Sequence, residues 1–358
     1  MDNIKQATKA YERWVSKQVP LIPRDLRLKH QRMADSPFAF LRATFYRWVQ
    51  LWPQVCPDLA KAPPVLGVGD LHIENFGTWR DCEGRLIWGV NDFDEAERMP
   101  YANDLVRLAV SAHLAIRVNG LSCERDDACD AIVAGYQAGL TKGGRPFVLA
   151  EEHRWLRDAA MSRLREPTIY WQRLDQASPV RAGVPRRVKA ALARALPERG
   201  LPFRIVHRQA GLGSLGRRRF TALAQWRGGR VAREAKELRR SAWYWEKSEH
   251  GHAKILYPAI ISGAVRVADP FLAVRGAWVI RRLAPDCSRI ELGAIPKAAE
   301  ELKLLKAMGF ETANVHLGTD ATRSRVLKHL QKQPHKWLRQ TVDKMSEEIL
   351  RDWKVWRS

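Results

Sequence analysis

Cysteine is scarce in this 358-residue chain. Cys56, Cys82, Cys123, Cys129 and Cys287 are odd in number, and no pair shows Cys-x-x-Cys spacing. That argues against structural zinc and against a disulfide framework, and it points to a reducing cytoplasm. Long apolar runs are missing as well. The most apolar window, residues 255–274, is interrupted by Pro258, Arg266, Asp269 and Pro270, so no membrane span is expected. The N-terminus, Met-Asp-Asn-Ile-Lys-Gln, lacks a basic segment leading into an apolar one, so no secretory signal is expected. Internal repeats and low-complexity segments are also lacking. Acidic residues are outnumbered: 39 Asp+Glu face 61 Lys+Arg, a net charge of +22. Such an excess suits nucleic acid, an anionic membrane surface or anionic small molecules such as nucleotides. It is spread over short runs at 186–189, 217–219 and 239–240, none as long as a disordered basic arm, and its plainest reading is solvated basic faces.

What is present suffices for a packed protein of one large domain or two ordinary ones, with 46% apolar and 28% charged residues. Residues 4–19 and 36–52 carry helical periodicity, the second opening at Ser36-Pro37. After Pro63-Pro64, residues 65–69 and 86–91 read as short strands joined by a polar turn at 80–85. From Pro100 to about Ala195 the pattern is mostly helical. The texture changes near Gly200: 203–209, 220–226 and 230–236 read as strands, with Gly228-Gly229 as a hairpin turn. A helical stretch at 241–256, a strand at 277–283, and helices at 296–317 and 322–355 follow. The chain thus reads as helix-rich, then β-rich, then helix-rich.

Three motifs carry chemistry. Gly69-Asp70-Leu71-His72-Ile73-Glu74-Asn75 follows an apolar strand; Asp70 suits the orienting of a hydroxyl, and Asn75 offers an amide oxygen to a metal. Asn91-Asp92-Phe93-Asp94-Glu95 ends a second apolar strand, and carboxylates at the end of a buried strand need a counter-charge, which a metal supplies. These two strand ends are expected to be adjacent. Gly211-Leu-Gly213-Ser214-Leu-Gly216 lies between β-like segments rather than before a helix, which favours a phosphate flap over a dinucleotide-binding turn. Lys236 follows on the next strand, within reach of phosphates under such a flap. Each motif also has a bland reading: a capped polar loop, a solvated acidic turn, a plain glycine hairpin, an exposed lysine. His72, His207 and His316 show no metal-ligand spacing and read as structural. The fourteen tryptophans are not interleaved with basic residues as in a single-strand nucleic-acid platform.

Together these residues resemble the kinase-like superfamily, especially its aminoglycoside and choline phosphotransferase branch, through Val68-Gly69-Asp70 to Asn75, Asn91-Asp92-Phe93-Asp94 and Asp104-Leu105. The chain is also similar to the uncharacterised bacterial family catalogued as domain of unknown function 2252. The matching pieces are Arg32-Met33, Ser36 to Arg42, Gly69 to Gly77, Asn91 to Glu95, Gly211 to Gly216 and Lys236-Glu237, with looser matches at 278–283 and 313–316. The resemblance implies Asp70 as catalytic base, Asn75 and Asp92 as metal ligands and Asp104 as a brace of the loop; Asp94, standing where that branch has glycine, offers a further metal ligand, and His72 reads as a structural support. Gly211, Gly213, Ser214, Gly216 and Lys236 would bind nucleotide, with Glu246 or Glu249 as acidic partner of the lysine. It further implies a two-lobed α+β kinase-like fold with extra N-terminal helices.

The order differs from that of kinases, because the loop and metal strand precede the flap and lysine. A circular permutation is therefore expected: 1–60 an N-terminal helical segment, 61–200 and 291–358 the helical lobe, 201–290 the small β lobe, with 279–285 as hinge. Four departures stand out. Val68 replaces the usual histidine, Asp94 the usual glycine, Glu234 a small apolar residue over the base, and Arg218 a valine covering it. The expected activity is ATP- and Mg²⁺-dependent phosphotransfer to an unknown, small-molecule acceptor. The alternatives are a kinase-like nucleotide-binding or scaffold protein without transfer, and nucleotidyl transfer at the same site. Nucleic-acid binding ranks last, since no motif supports it.

Overall fold

Helices begin where the sequence caps them. Asn3 and Gln6 form a reciprocal capping box, Gln6 N donating to Asn3 Oδ1 at 2.9 Å, and α1 runs Ile4–Ser16. The computed structural model describes residues 3–119, 122–149, 153–161, 167–180, 183–246, 254–285, 287, 298–319 and 322–358. After α1 come α2 (Pro23–Asp35), α3 (Pro37–Ala43) and α4 (Phe45–Val55), then β1 (Pro64–Gly67), β2 (Phe76–Arg80), β3 (Leu86–Val90) and β4 (Glu97–Pro100). Helices α5 (Tyr101–Asn119) and α6 (Arg125–Lys142), β5 (Phe147–Val148), α7 (Arg154–Met161), α8 (Pro167–Asp175) and α9 (Arg186–Ala195) follow. The β-rich part holds β6 (Phe203–His207), β7 (Arg219–Trp226), β8 (Gly229–Glu237), α10 (Ala242–Glu246), α11 (Tyr257–Gly263), β9 (Ala273–Val274) and β10 (Trp278–Leu283). The chain closes with α12 (Ala298–His316), α13 (Arg323–Gln331) and α14 (Trp337–Arg357). The fold class is mixed α+β with several sheets, and no helix among the described residues is long and apolar enough to cross a membrane.

Three expectations about local structure are corrected. Residues 36–52 form two helices, not one. Thr44 leaves helical geometry (φ −123°, ψ 41°) and its Oγ1 donates to the Phe40 carbonyl at 2.7 Å, a local bond that competes with the helix ladder. The strands at 65–69 and 86–91 are not neighbours: β1 pairs antiparallel with β4, whereas β3 pairs with β2 on one side and β5 on the other. Strand β2 escaped notice because Phe76, Gly77, Thr78 and Trp79 are all buried, so it has no polar–apolar alternation to betray it. The hairpin between β7 and β8 turns on Arg227-Gly228, one position before the expected Gly-Gly pair. Both residues have positive φ (44° and 80°), as a two-residue primed turn requires.

The five-stranded sheet runs β6-β7-β8-β10-β9, antiparallel throughout. One face carries Phe220, Ala222, Ala235, Trp278 and Ile280, covered by Val188 and Leu192 of α9. On the other, Leu223, Ala232 and Leu283 pack with Tyr170 and Leu174 of α8. Helices α8 and α9, which precede residue 200, therefore pack on this sheet. The remaining body is one large apolar core around α5, on which Leu105, Val106, Leu108 and Val110 are fully buried. Helices α6 and α12 cross against it at glycine contacts. A Cβ on Gly135 would lie 1.9 Å from the Lys306 carbonyl oxygen, and one on Gly309 2.1 Å from that of Ile132, so this crossing admits no side chain at either position.

Candidate active site

The Asp70 loop is held from three directions. Asp104, in the first turn of α5, accepts from Val68 N at 2.7 Å and Gly69 N at 2.9 Å. His316, the last residue of α12, places Nε2 2.9 Å from Asp104 Oδ2, and its Nδ1 lies 2.9 Å from the Tyr136 hydroxyl. The loop thus receives its histidine support from a distant helix, through Asp104, where Val68 offers none. Gly69 turns the chain at φ +82°, and a Cβ there would lie 2.5 Å from the Glu95 carbonyl oxygen. His72 caps the short turn at Ile73–Asn75, its Nδ1 accepting from Glu74 N at 3.2 Å, so its place is structural.

Asp70 faces Arg107, whose Nε donates to Oδ1 at 3.0 Å while a second guanidinium nitrogen contacts the same oxygen. Arg107 is fully buried over the faces of Phe45 and Trp48. Burial pushes the Asp70 carboxyl up to about 6, against the opposing pull of Arg107. Asn75 Nδ2 donates to the Asp70 carbonyl oxygen at 2.6 Å, and the Asn75 carbonyl accepts from Asn91 N at 2.9 Å, which ties this loop to the end of β3.

At that end Asp92 and Asp94 meet Lys236. The Nζ lies 2.9 Å from Asp92 Oδ2 and 2.6 Å from Asp94 Oδ2, across 144 residues of sequence for the first pair. Arg217 adds a second cation, donating to Asp94 Oδ2 at 2.6 Å. Burial alone would raise the Asp94 carboxyl, but Lys236 and Arg217 outweigh it and hold the group well below the ordinary carboxylate range. Among the described residues the acidic partners of Lys236 are Asp92 and Asp94. Glu246 lies at the end of α10 with its side chain outside what is described, and Glu249 lies outside the described residues. Glu95, next in the chain, is buried against Arg239 and accepts from Ala242 N at 2.7 Å.

The glycine-rich segment folds into a short turn over Asp70. A Cβ on Gly213 would meet Asp70 Oδ2 at 3.3 Å and the Arg42 carbonyl oxygen at 2.9 Å. Ser214 Oγ accepts from Arg219 at 2.9 Å, and the Gly216 carbonyl accepts from Ile22 N at 2.7 Å, anchoring the segment to the start of α2. A small cavity of about 40 Å³ remains beneath it, lined by Asp70, Asn75, Asp92, Asp94 and Gly213. The structure thus brings together Asp70, His72, Asn75, Asp92, Asp94, Gly211, Gly213 and Ser214 around this cavity, pairs Lys236 with Asp92 and Asp94, and keeps Asp104 behind the loop.

A larger cavity of about 680 Å³ opens on the other side of Asp92, between the five-stranded sheet and Thr78, Trp79 and Phe93. Its sheet side is charged. Glu234 is fully buried and accepts from Arg219 at 2.6 Å, Arg281 at 2.7 Å and Arg208 at 2.9 Å. Arg218, which stands where the resembled family has a valine over the base, turns to the opposite face, where it pairs with Glu237 and stacks on Trp278. Strand alternation gives the cleft face to Arg219 instead, opposite Lys236 in the register.

Sequence reasoning missed Arg107, Arg217, Arg219 and Arg239. The last three sit in runs that read as solvated basic faces, yet they are 7%, 4% and 6% exposed and paired with Asp94, Glu234 and Glu95. The i, i+3 spacing of Asp104 and Arg107 was a usable signal, since it sets both on one side of α5.

Residues 21–177 match the model of a protein family described as an uncharacterized protein conserved in bacteria (DUF2252). That span includes Asp70, Asn75, Asp92, Asp94, Asp104 and Arg107, and ends before the glycine-rich segment and Lys236. No curated protein and no solved structure matches the chain.

Proposed function

We propose that this protein is an ATP- and Mg²⁺-dependent phosphotransferase built on a circularly permuted kinase-like fold, acting on a small-molecule acceptor. One observation carries the reading. The glycine-rich segment, which comes late in the chain, lines one small cavity with Asp70, Asn75, Asp92 and Asp94, and Lys236, later still, pairs with the last two of these. A glycine-rich turn, a buried lysine, two carboxylates and an amide oxygen are parts that positioning and charge neutralisation of a phosphoryl group use.

The residues present fit a divalent cation. Asp94 Oδ1 is buried without a hydrogen-bond partner among the described residues. Asp92 keeps a third of its side chain exposed. The Asn75 Nδ2 is already committed to the Asp70 carbonyl, which leaves the amide oxygen as its metal-binding end. No group of three or more His, Cys, Asp and Glu side chains among the described residues could hold a metal ion; magnesium commonly takes one or two carboxylates and draws its other ligands from phosphate and water. Bound there, Mg²⁺ would neutralise charge developing on the transferred phosphoryl group.

In this reading Lys236 exchanges its contacts with Asp92 and Asp94 for phosphate oxygens when a nucleotide enters. Asp70, raised to about 6, accepts the acceptor hydroxyl's proton near neutral pH, and Arg107 keeps its carboxylate oriented. Gly213 lets the flap approach that carboxylate. Nucleotidyl transfer is the second reading, favoured by the arginines around Glu234, which suit phosphates at the end where a base would otherwise lie. The test is Mg²⁺-dependent ATP consumption by the purified protein. Asp70→Asn and Asp92→Ala should each lower it by about 10²-fold or more; activity unaltered by both overturns the proposal.

A further inference from the structure

We infer that the three arginines around Glu234 form a docking site for a second, phosphate-bearing anionic group, so that the ligand of the large cavity is anionic where a nucleotide would carry its base. The inference rests on the cleft assigned to phosphotransfer, and it names the chemistry of what enters.

The charge count is the first ground. Arg208, Arg219 and Arg281 all point at one carboxylate, leaving two positive charges uncompensated in that cluster. Glu234 is completely buried, whereas the side chains of Arg208 and Arg281 keep 23% and 26% of their surface open. Both arginines line the cavity of about 680 Å³, a volume suited to a small molecule. The excess charge therefore faces the cavity, not the sheet.

The other negative groups on its wall do not balance it. Asp92 is paired with Lys236, and Asp25 and Asp269 are outnumbered by the further wall arginines Arg24, Arg173, Arg266 and Arg282. On the opposite wall Arg266 adds a further cation. It lies over Trp79 and Phe93 at 4.7 and 5.1 Å and donates to the Val90 carbonyl. Guanidinium groups on two facing walls suit the several oxygens of a phosphate chain, because each fork can bind two of them. An uncharged purine could stack on a guanidinium or accept from it, but would neutralise none of the excess charge.

The geometry separates this site from the lysine site. Glu234 and Lys236 project from the same face of β8, two residues apart, which is about 7 Å along a strand. A ligand of polyphosphate length spans both. The anionic group comes either from a nucleotide lying with its phosphates toward the arginines, or from a phosphorylated acceptor beside it.

The experiment is calorimetric titration of the full chain with sodium tripolyphosphate, ATP and adenosine at fixed ionic strength. Tripolyphosphate should bind the wild type, and Arg208→Gln with Arg281→Gln should weaken it at least tenfold. Arg219 still holds Glu234 in that variant, and the single Arg208→Gln serves where the pair fails to fold, with a smaller loss in the same direction. Competition between ATP and tripolyphosphate identifies the nucleotide as the source, and simultaneous binding identifies a phosphorylated acceptor; both outcomes support the inference. No binding to the wild type, equal binding to the variants, or adenosine binding as tightly as ATP overturns it. Arginine-dependent anion binding without Mg²⁺-dependent turnover defeats the phosphotransfer reading alone. Turnover with arginine-independent binding defeats this inference alone.

Discussion

Lys236 Nζ stands 2.6 Å from Asp94 Oδ2 and 2.9 Å from Asp92 Oδ2, so the lysine occupies the carboxylates that a divalent cation would use. The two cations are therefore competitors for the same oxygens. Arg217 restrains Asp94 from the other side but does not reach Asp92 among the described contacts.

That competition predicts the behaviour of Lys236→Met. Without its ammonium group, Asp92 and Asp94 keep only Arg217 beside them and should bind Mg²⁺ more tightly. Thermal shift with increasing Mg²⁺ should show a larger rise in Tm for the variant than for the wild type, while nucleotide-induced stabilisation falls. Equal metal response in both proteins would refute the competition.

Asp70 predicts a pH profile. A base must be unprotonated, and this carboxyl is raised to about 6, so activity should climb through about pH 6 on the acid side. Arg107 opposes the burial effect, so Arg107→Gln should move that limb to higher pH. Rate measurements from pH 5 to 8 in both proteins check the direction; an unmoved limb assigns the titration to another group.

Glu311 links stability to pH with a defined sign. It is buried behind β3, accepts from Val90 N at 3.2 Å and from Asn314 Nδ2 at 2.8 Å, and burial raises its carboxyl to about 7. A raised carboxyl contributes stability that is complete below its unfolded value of 4.5 and is lost as pH rises through about 7. Glu311→Gln should remove that loss, on the order of 2 kcal/mol between pH 5 and 8, as read by urea unfolding at both values. A slope identical to that of the wild type contradicts the assignment.

The brace behind the Asp70 loop should matter to folding as well as to activity. Asp104→Ala leaves the amides of Val68 and Gly69 and the ring of His316 without their acceptor. A loss of about 2–5 kcal/mol in denaturant unfolding is expected, and Asp104→Asn should lose less. A variant within 0.5 kcal/mol of wild type, roughly the noise of a surface change, would deny the brace its role.

The α6–α12 crossing predicts an inverted glycine effect. In an open helix Gly→Ala stabilises by about 0.5–1 kcal/mol. Here Gly135→Ala would force a Cβ against the Lys306 carbonyl, so a net destabilisation of about 1–3 kcal/mol is expected. The same displacement would shift α12, whose last residue His316 supports Asp104, so loop-dependent ligand binding should fall with it. Melting curves and a nucleotide titration on one preparation test both halves.

Much of the local structure was legible because its signals are local. The helix start at Ser36, the strands near 203–207, 219–226 and 229–237, and the existence of a tight turn between the last two are written in neighbouring residues. So are Asp70, Asn75 and Asp92 as polar groups at the ends of apolar segments. Strand β2 was not, because burial on both faces erases alternation. The pairing of β1 with β4 was not either, since register between separated segments is set by packing.

The division between chain and fold is clearest in the charges. The sequence by itself determined which side chains bring carboxylates, a lysine and glycines, and that arginine is in excess. Only the tertiary structure decided that Lys236 meets Asp92 and Asp94, that Arg217, Arg219 and Arg239 lie buried in ion pairs, and that Glu234 collects three guanidiniums on the cleft face of β8. The reason is physical. A run of basic residues is the same string whether solvated or buried, and burial becomes possible only when a distant strand delivers the opposite charge.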